Sequence, residues 1–181
     1  STRAFASCYS LVSIVIGSNI QTIETSAFIG CDELVEVINK SSLALYKGST
    51  NHGRVAYYAK EIHNGDTKIV NVDDYLFYTY NGVNYLMGYV GNDTQLKLPE
   101  SYNGEKYYIY QYAFYWNESL TSVEISKGVI GIGDYAFRMC DKLVEVINKS
   151  SLNIVKGSTS NGYIAYCALE VHNGESKIVN V

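Results

Sequence analysis

The sequence predicts a repeat solenoid, β-rich with some helix, in two tandem copies separated by a small antiparallel β-meander. Three observations predict it. The stretch Leu34-Val-Glu-Val-Ile-Asn-Lys-Ser-Ser-Leu43 recurs unchanged at 143–152. Offset by 109 residues without gaps, residues 26–72 match 135–181 at 31 of 47 positions, so the chain is a tandem duplication. Inside each copy a shorter period appears: Ala4-Phe5 returns as Ala27-Phe28, and Ala113-Phe114 as Ala136-Phe137, each 23 residues on. Self-similarity at 20–29 residues marks stacked coils, none of which can bury its inner face alone.

Each element of a coil follows from its residues. Leu11-x-x-Ile14-x-Ile16 alternates at period 2, which predicts one short strand per coil with Ile14 and Ile16 inward and Ser13 and Val15 outward. Ile20 and Ile23 supply the opposite wall. The chain then turns at Ala-Phe, a tight helical or 3₁₀ corner packed on the next coil, and the stacked strands form a parallel sheet.

The pattern A-F-x-x-C-x-x-L-x-x-I-x-I, as Ala4-Phe5-Ala6-Ser7-Cys8-Tyr9-Ser10-Leu11 and Ala27-Phe28-Ile29-Gly30-Cys31-Asp32-Glu33-Leu34, resembles the BspA-like leucine-rich repeats of bacterial surface proteins. It covers roughly 1–43 and 110–152. The resemblance implies a leucine-rich-repeat-like solenoid in a secreted or wall-attached protein that binds host or matrix components without catalysis. Two departures stand out. Asn117 replaces the cysteine, and Asn39 and Asn148 replace the third inward apolar residue, which marks them as the points where the regular coil stops.

Past Ser42 the rhythm breaks. Val55, Tyr58, Ala59 and Ile62 fall at helical spacing, with Gly53 before them and Asn64-Gly65 after, predicting a short helix at 54–62 and its equivalent at 163–171. Lys68–Val72 then begins an extended segment. Residues 73–109 occur once. Tyr75–Tyr80 and Val83–Val90 flank Asn81-Gly82, whose residues tolerate the positive φ of a type I′ turn, so a hairpin is expected. Gln95–Leu98 and Lys106–Tyr110 complete the expected meander. The organisation read from sequence is thus a first repeat unit over 1–72, an insert over 73–109 and a second unit over 110–181. Because Val181 is the equivalent of the residue before Asp73-Asp74, a further hairpin is expected to follow it, as in a piece of a longer array.

Composition excludes several function classes. With 47% hydrophobic and 18% charged residues the chain is globular, and no apolar run approaches a membrane span. Net charge is −4 and the 14 Lys and Arg are scattered, so neither nucleic-acid binding nor membrane insertion by this segment is expected. Catalytic and metal constellations are weak. Cys8 and Cys31 lie on adjacent coils, as buried thiols or, less simply, as a disulfide; the pair is not repeated, since its equivalents are Asn117 and Cys140. No C-x-x-C occurs, and no metal or cofactor is expected. Glu61-x-His63 and Glu170-x-His172 recur in both copies without an accompanying nucleophile, which points to a structural role at a helix C-terminus. Gly128–Gly133 lacks the spacing of a phosphate loop.

A binding module remains, with an extracellular protein or glycan as partner; the alternative is a passive stalk or spacer whose sheet faces are covered by the helices. The candidate surface is the outward strand residues: Val12, Ser13 and Val15; Val35, Glu36 and Ile38; Thr121, Ser122 and Glu124; Val144, Glu145 and Ile147. The exposed tyrosines expected of the hairpin, Tyr78, Tyr80, Tyr85 and Tyr89, add a surface on which sugar rings could stack. Duplication would present any such surface twice, so that avidity supplements weak single contacts.

Overall fold

The structure, a computed structural model, describes residues 2–174. The chain forms a β-solenoid in two compact units divided between Val70 and Asn71. In the first unit, β1 (Ser13–Ile16), β2 (Glu36–Asn39) and β3 (Glu61–His63) pair in parallel, with Ile14 opposite Val37 and Val37 opposite Ile62. The alternation read from sequence holds in β1: Ile16 is buried at 5% exposure and Val15 is 58% exposed. The core beneath gathers Ile16, Phe28, Cys31, Leu34, Val37 and Val55, with Ile14 and Ile62 packed against it.

The Ala-Phe corners stack by a repeated set of bonds. The Phe5 amide donates to the Ala27 carbonyl at 2.8 Å and the Phe28 amide to the Gly53 carbonyl at 2.8 Å, while the two phenyl rings stack at 4.8 Å. The second unit repeats this, from the Phe114 amide to Ala136 (2.8 Å) and from Phe137 to Gly162 (2.7 Å), with rings again at 4.8 Å. The motif cysteine belongs to the same arrangement. Cys31 Sγ donates to the Phe5 carbonyl at 2.9 Å and Cys140 Sγ to the Phe114 carbonyl at 3.0 Å. Burial pushes these thiols up to about 11 and about 12, so both stay protonated donors. All four cysteines are free; Cys31 and Cys140 are buried, Cys8 is half-buried and Cys167 is exposed.

The helix expected at 54–62 does not form. A 3₁₀ turn spans His52–Arg54, and Glu61–His63 is β3, a third rung of the sheet; at 163–171 the equivalents are a 3₁₀ turn at Asn161–Tyr163 and a strand at Glu170–Asn173. Val55 and Ala56 take the place of the Ala-Phe corner, and Ile62 faces inward from a strand. Corner plus strand thus produces the same apolar spacing as a helical stripe. Asn39 and Asn148 do not end the solenoid either. Asn39 Nδ2 donates to the Leu43 carbonyl at 2.9 Å while its Oδ1 accepts from the Ser41 amide and hydroxyl at 3.1 and 2.7 Å; Asn148 repeats this with Leu152 and Ser150. The amide side chain satisfies backbone groups where the strand turns out of the sheet.

Gly53 and Gly162 sit in these turns at φ of 63° and 62°. A Cβ on Gly53 would lie 2.4 Å from the Glu24 carbonyl oxygen, and one on Gly162 2.5 Å from that of Gly133. Gly53→Ala and Gly162→Ala are therefore expected to destabilise their units by about 1–3 kcal/mol each, combining left-handed strain with a backbone clash. Gly48→Ala, where φ is also positive but nothing lies within 4 Å, is the control. Urea unfolding midpoints check the order, and equal shifts at all three sites would leave strain alone as the cause.

Across the division runs β4 (Val70–Val72), of which Asn71 and Val72 belong to the second unit. That unit contains β5 (Tyr75–Tyr80), β6 (Val83–Tyr89), β7 (Gln95–Lys97), β8 (Tyr107–Ile109), β9 (Ser122–Ile125), β10 (Val129–Ile132), β11 (Glu145–Asn148) and β12 (Glu170–Asn173). The hairpin forms as expected: β5 and β6 are antiparallel, with Tyr80 opposite Val83 across Asn81-Gly82, both at positive φ. The rest of the expected meander does not form. β7 pairs in parallel with β9, while β8 pairs in parallel with both β6 and β10. Residues 95–109 thus complete a coil of the second solenoid, supplying one strand to each of its walls. Its core runs from Phe77, Leu86 and Leu98 through Phe114, Leu120 and Val123 to Phe137, Val146 and Ile164. Residues 177–181, the repeat of Lys68–Val72, lie outside the described residues.

Candidate binding surfaces

The sheet β7-β9-β11-β12 places the outward side chains of four coils in register. Gln95, Ser122, Glu145 and Glu170 form one row; Lys97, Glu124, Ile147 and His172 form the next. Between them Leu96, Val123, Val146 and Val171 point to the core. The rows are internally connected. Glu124 pairs with Lys149 at 2.9 Å and Lys97 at 3.7 Å, Ser122 Oγ donates to Glu145 at 3.1 Å, and His172 Nε2 lies 3.2 Å from Glu170 and 3.7 Å from Glu145. Thr121, Ser122, Glu124, Glu145 and Ile147 are half-buried and Val144 is 41% exposed, so this expected face is accessible.

The matching face of the first copy is not. Val12 and Ser13 are half-buried and Val15 is exposed, but Val35, Glu36 and Ile38 are buried at 0%, 0% and 3% exposure. These three therefore leave the binding surface. Glu36 is instead the centre of a closed polar network. Its carboxylate accepts from Ser13 Oγ at 2.5 Å, Thr67 Oγ1 at 2.6 Å and the Lys68 amide at 2.6 Å, with His63 Nε2 at 3.1 Å. Burial pushes its pKa up, but these bonds outweigh burial and hold it below the ordinary value. Glu61 and His63 thus share one face of a strand, not a helix end, and Glu61 pairs with Lys68 at 2.8 Å.

The recurring Glu and His residues have a different setting in the second copy. Glu145, Glu170 and His172 bring ligand atoms within 4.8 Å of one another, a spacing compatible with a metal ion. In the first copy the Thr67 hydroxyl and the Lys68 amide donate to the equivalent carboxylate, Glu36; their counterparts Ser176 and Lys177 lie outside the described residues. One carboxylate has no such network: Glu33 is fully buried, neither of its oxygens has a hydrogen-bond partner, and burial pushes its pKa well above the carboxylate range. Its equivalent, Lys142, is exposed.

The hairpin tyrosines are more enclosed than the alternation suggests. Tyr78 is buried at 0% exposure, which removes it from any stacking surface. Tyr80 stacks on Tyr78, Tyr85 lies edge-on to Tyr110, and Tyr89 packs on Tyr75 at 4.9 Å while donating to Asp93 at 2.9 Å. The more open aromatic surface was not found from sequence. Tyr112, Tyr135 and Tyr163 occupy the left-handed corner position of three successive coils and stack at 5.4 and 5.6 Å, with the Arg138 guanidinium 5.3 Å from the Tyr135 ring. Tyr115, Trp116 and Tyr166 flank this ladder, and the last two are 54% and 55% exposed. The signal was available in sequence: a tyrosine at a fixed offset from the corner in the second copy, where the first has Arg3, Ser26 and Arg54.

Six copies of the BspA type leucine rich repeat region match residues 1–86 and 107–177. The chain belongs to the BspA-type leucine-rich repeat family. No curated protein matches its sequence. Among solved structures, this BspA-type repeat chain is similar to a leucine-rich repeat protein from Bacteroides capillosus, at 23% identity and a TM-score of 0.42 over 59% of this chain and 99% of that one. It is also similar to a leucine rich cell surface protein from Faecalibacterium prausnitzii (17% identity, TM-score 0.46, 97% of this chain and 63% of that one). A third likeness is to the pneumococcal vaccine antigen PcpA, at 21% identity and a TM-score of 0.36, covering 78% of this chain and 40% of that one. The BspA-type chain therefore spans less than two thirds of the cell surface protein and of the antigen. The repeat assignment agrees with the corners, where the motif's phenylalanine and cysteine make the inter-coil contacts.

Proposed function

We propose that this BspA-type segment is a non-catalytic binding module of a cell-surface protein, recognising an extracellular protein through the exposed sheet face of its second unit. The observation that carries the reading is the pair of in-register rows across β7, β9, β11 and β12. They present carboxylates, a lysine, an imidazole and Ile147 on a face fixed by the coil stack. A flat surface of mixed polar and apolar character, held by backbone pairing, suits recognition of a folded partner. The family assignment supports a surface location, because BspA-like repeats are implied to belong to secreted or wall-attached proteins. A passive spacer is the second reading, and it draws on the ion pairs that Glu124 makes with Lys97 and Lys149 and on the contacts of His172 with Glu145 and Glu170.

The test is binding to an array of immobilised extracellular-matrix proteins by wild type and by a Glu124→Arg, Ile147→Lys double variant. A binding module is expected to lose affinity by at least about tenfold, since reversing charge at the centre of an interface costs more than about 1.4 kcal/mol. A wild type that binds nothing on the array, or a variant that binds as the wild type does, favours the spacer.

A further inference from the structure

We propose that the second unit carries a separate site for a single neutral sugar ring, in the cavity between the corners of its last two described coils. This cavity of about 340 Å³ lies at the small end of the range for ligand pockets, room for one ring and not for an extended polymer. Its lining includes apolar groups from the core edge, Phe137, Leu143 and Ile164. At its rim are Tyr163 and Tyr166, with Arg138 and Asp141 as the charged groups. That combination fits a polyhydroxylated ring. An aromatic face attracts the weakly positive C–H face of a sugar, a carboxylate accepts from hydroxyl groups, and a guanidinium donates to them. The two charges cancel, which favours a neutral sugar over an acidic one.

The two copies differ around this site. Tyr166 has Tyr57 as its equivalent, and Cys167 has Tyr58. In the first copy the Tyr57 and Tyr58 rings meet edge-on at 4.8 Å, Arg54 lies 5.1 Å from the Tyr57 ring, and the two tyrosines are 36% and 41% exposed. In the second copy a thiol replaces the second ring. Cys167 Sγ lies 3.9 Å from Asp141, and Tyr166, edge-on to Tyr163 at 5.6 Å, lines the cavity at 55% exposure. Arg138 and Met139 likewise replace Ile29 and Gly30. The corner of the second copy thus carries a thiol, a guanidinium and a thioether where the first has a tyrosine, an isoleucine and a glycine.

Saturation-transfer NMR of the whole chain with glucose, galactose, mannose, N-acetylglucosamine and N-acetylgalactosamine tests the proposal. At least one sugar is expected to bind saturably and to slow alkylation of Cys167 by iodoacetamide. Cys167→Tyr restores the residue that the first copy already accommodates at this position, so it is expected to fold, and it should weaken that binding at least tenfold. Asp141→Asn should weaken it by a smaller factor. The Glu124→Arg, Ile147→Lys variant should bind the sugar as wild type does, which separates this site from the sheet face. Absence of binding by all five sugars overturns the proposal, as does a Cys167→Tyr protein that is folded by circular dichroism and binds unchanged.

Discussion

Phe137→Ala is expected to cost the second unit about 3–5 kcal/mol, enough to unfold much of a marginally stable domain at ambient temperature. The ring is 2% exposed, stacks on Phe114 at 4.8 Å and belongs to the core that joins three coils. Its neighbours are fixed by backbone bonds on both sides, from Phe114 to Ala136 and from Phe137 to Gly162, so the cavity left behind has little freedom to collapse. The equivalent test at the first corner is Phe5→Ala. Phe5 makes the same stack with Phe28 but is 42% exposed, and truncation should cost less than half as much. Urea denaturation of both variants checks the pair. Equal costs would mean that the corner rings act through the stack alone and that burial between coils adds nothing.

The coil was legible because its signal is local. Ala-Phe, the cysteine three residues on, and the leucine and isoleucines of the strand recur at fixed distances, and each has one job in the stacked coil. The Asn-Gly hairpin was legible for the same reason. The segment after Ser42 was misread because its information is ambiguous at short range. Val55, Ala59 and Ile62 satisfy a helical period and also a corner followed by a strand; the choice between them is made by β2, which offers an unpaired edge to β3. Residues 95–109 were misread similarly, since alternation predicts a strand but not whether its partner is the adjacent hairpin or β9, some 27 residues on. Burial of Val35, Glu36 and Ile38 was not legible at all. Their sequence recurs unchanged as Val144, Glu145 and Ile147, and what closes over Glu36 is Thr67 and Lys68, some 31 residues on, which no local pattern announces.

The closed network at Glu36 has a measurable consequence. Removing its carboxylate in Glu36→Ala leaves the Ser13 and Thr67 hydroxyls, the Lys68 amide and His63 without their shared acceptor, at an expected cost of about 3 kcal/mol for buried groups. The isosteric Glu36→Gln gives the pH dependence. The folded state lowers the Glu36 pKa below 4.5, so the unfolded chain takes up the proton first as pH falls. The stabilisation is complete above about pH 4.5 and is lost as pH drops through the lowered folded value. Glu33 titrates in the opposite sense: its pKa is raised, so its burial is tolerated best in acid and opposes folding as pH rises. The two slopes fall in different windows, that of Glu36 below about pH 4.5 and that of Glu33 above it, so the difference between wild type and Glu36→Gln from pH 7 to pH 3 isolates Glu36. That difference should shrink steadily below pH 4.5, and a constant difference across the range would show that the network does not depend on the charge of Glu36.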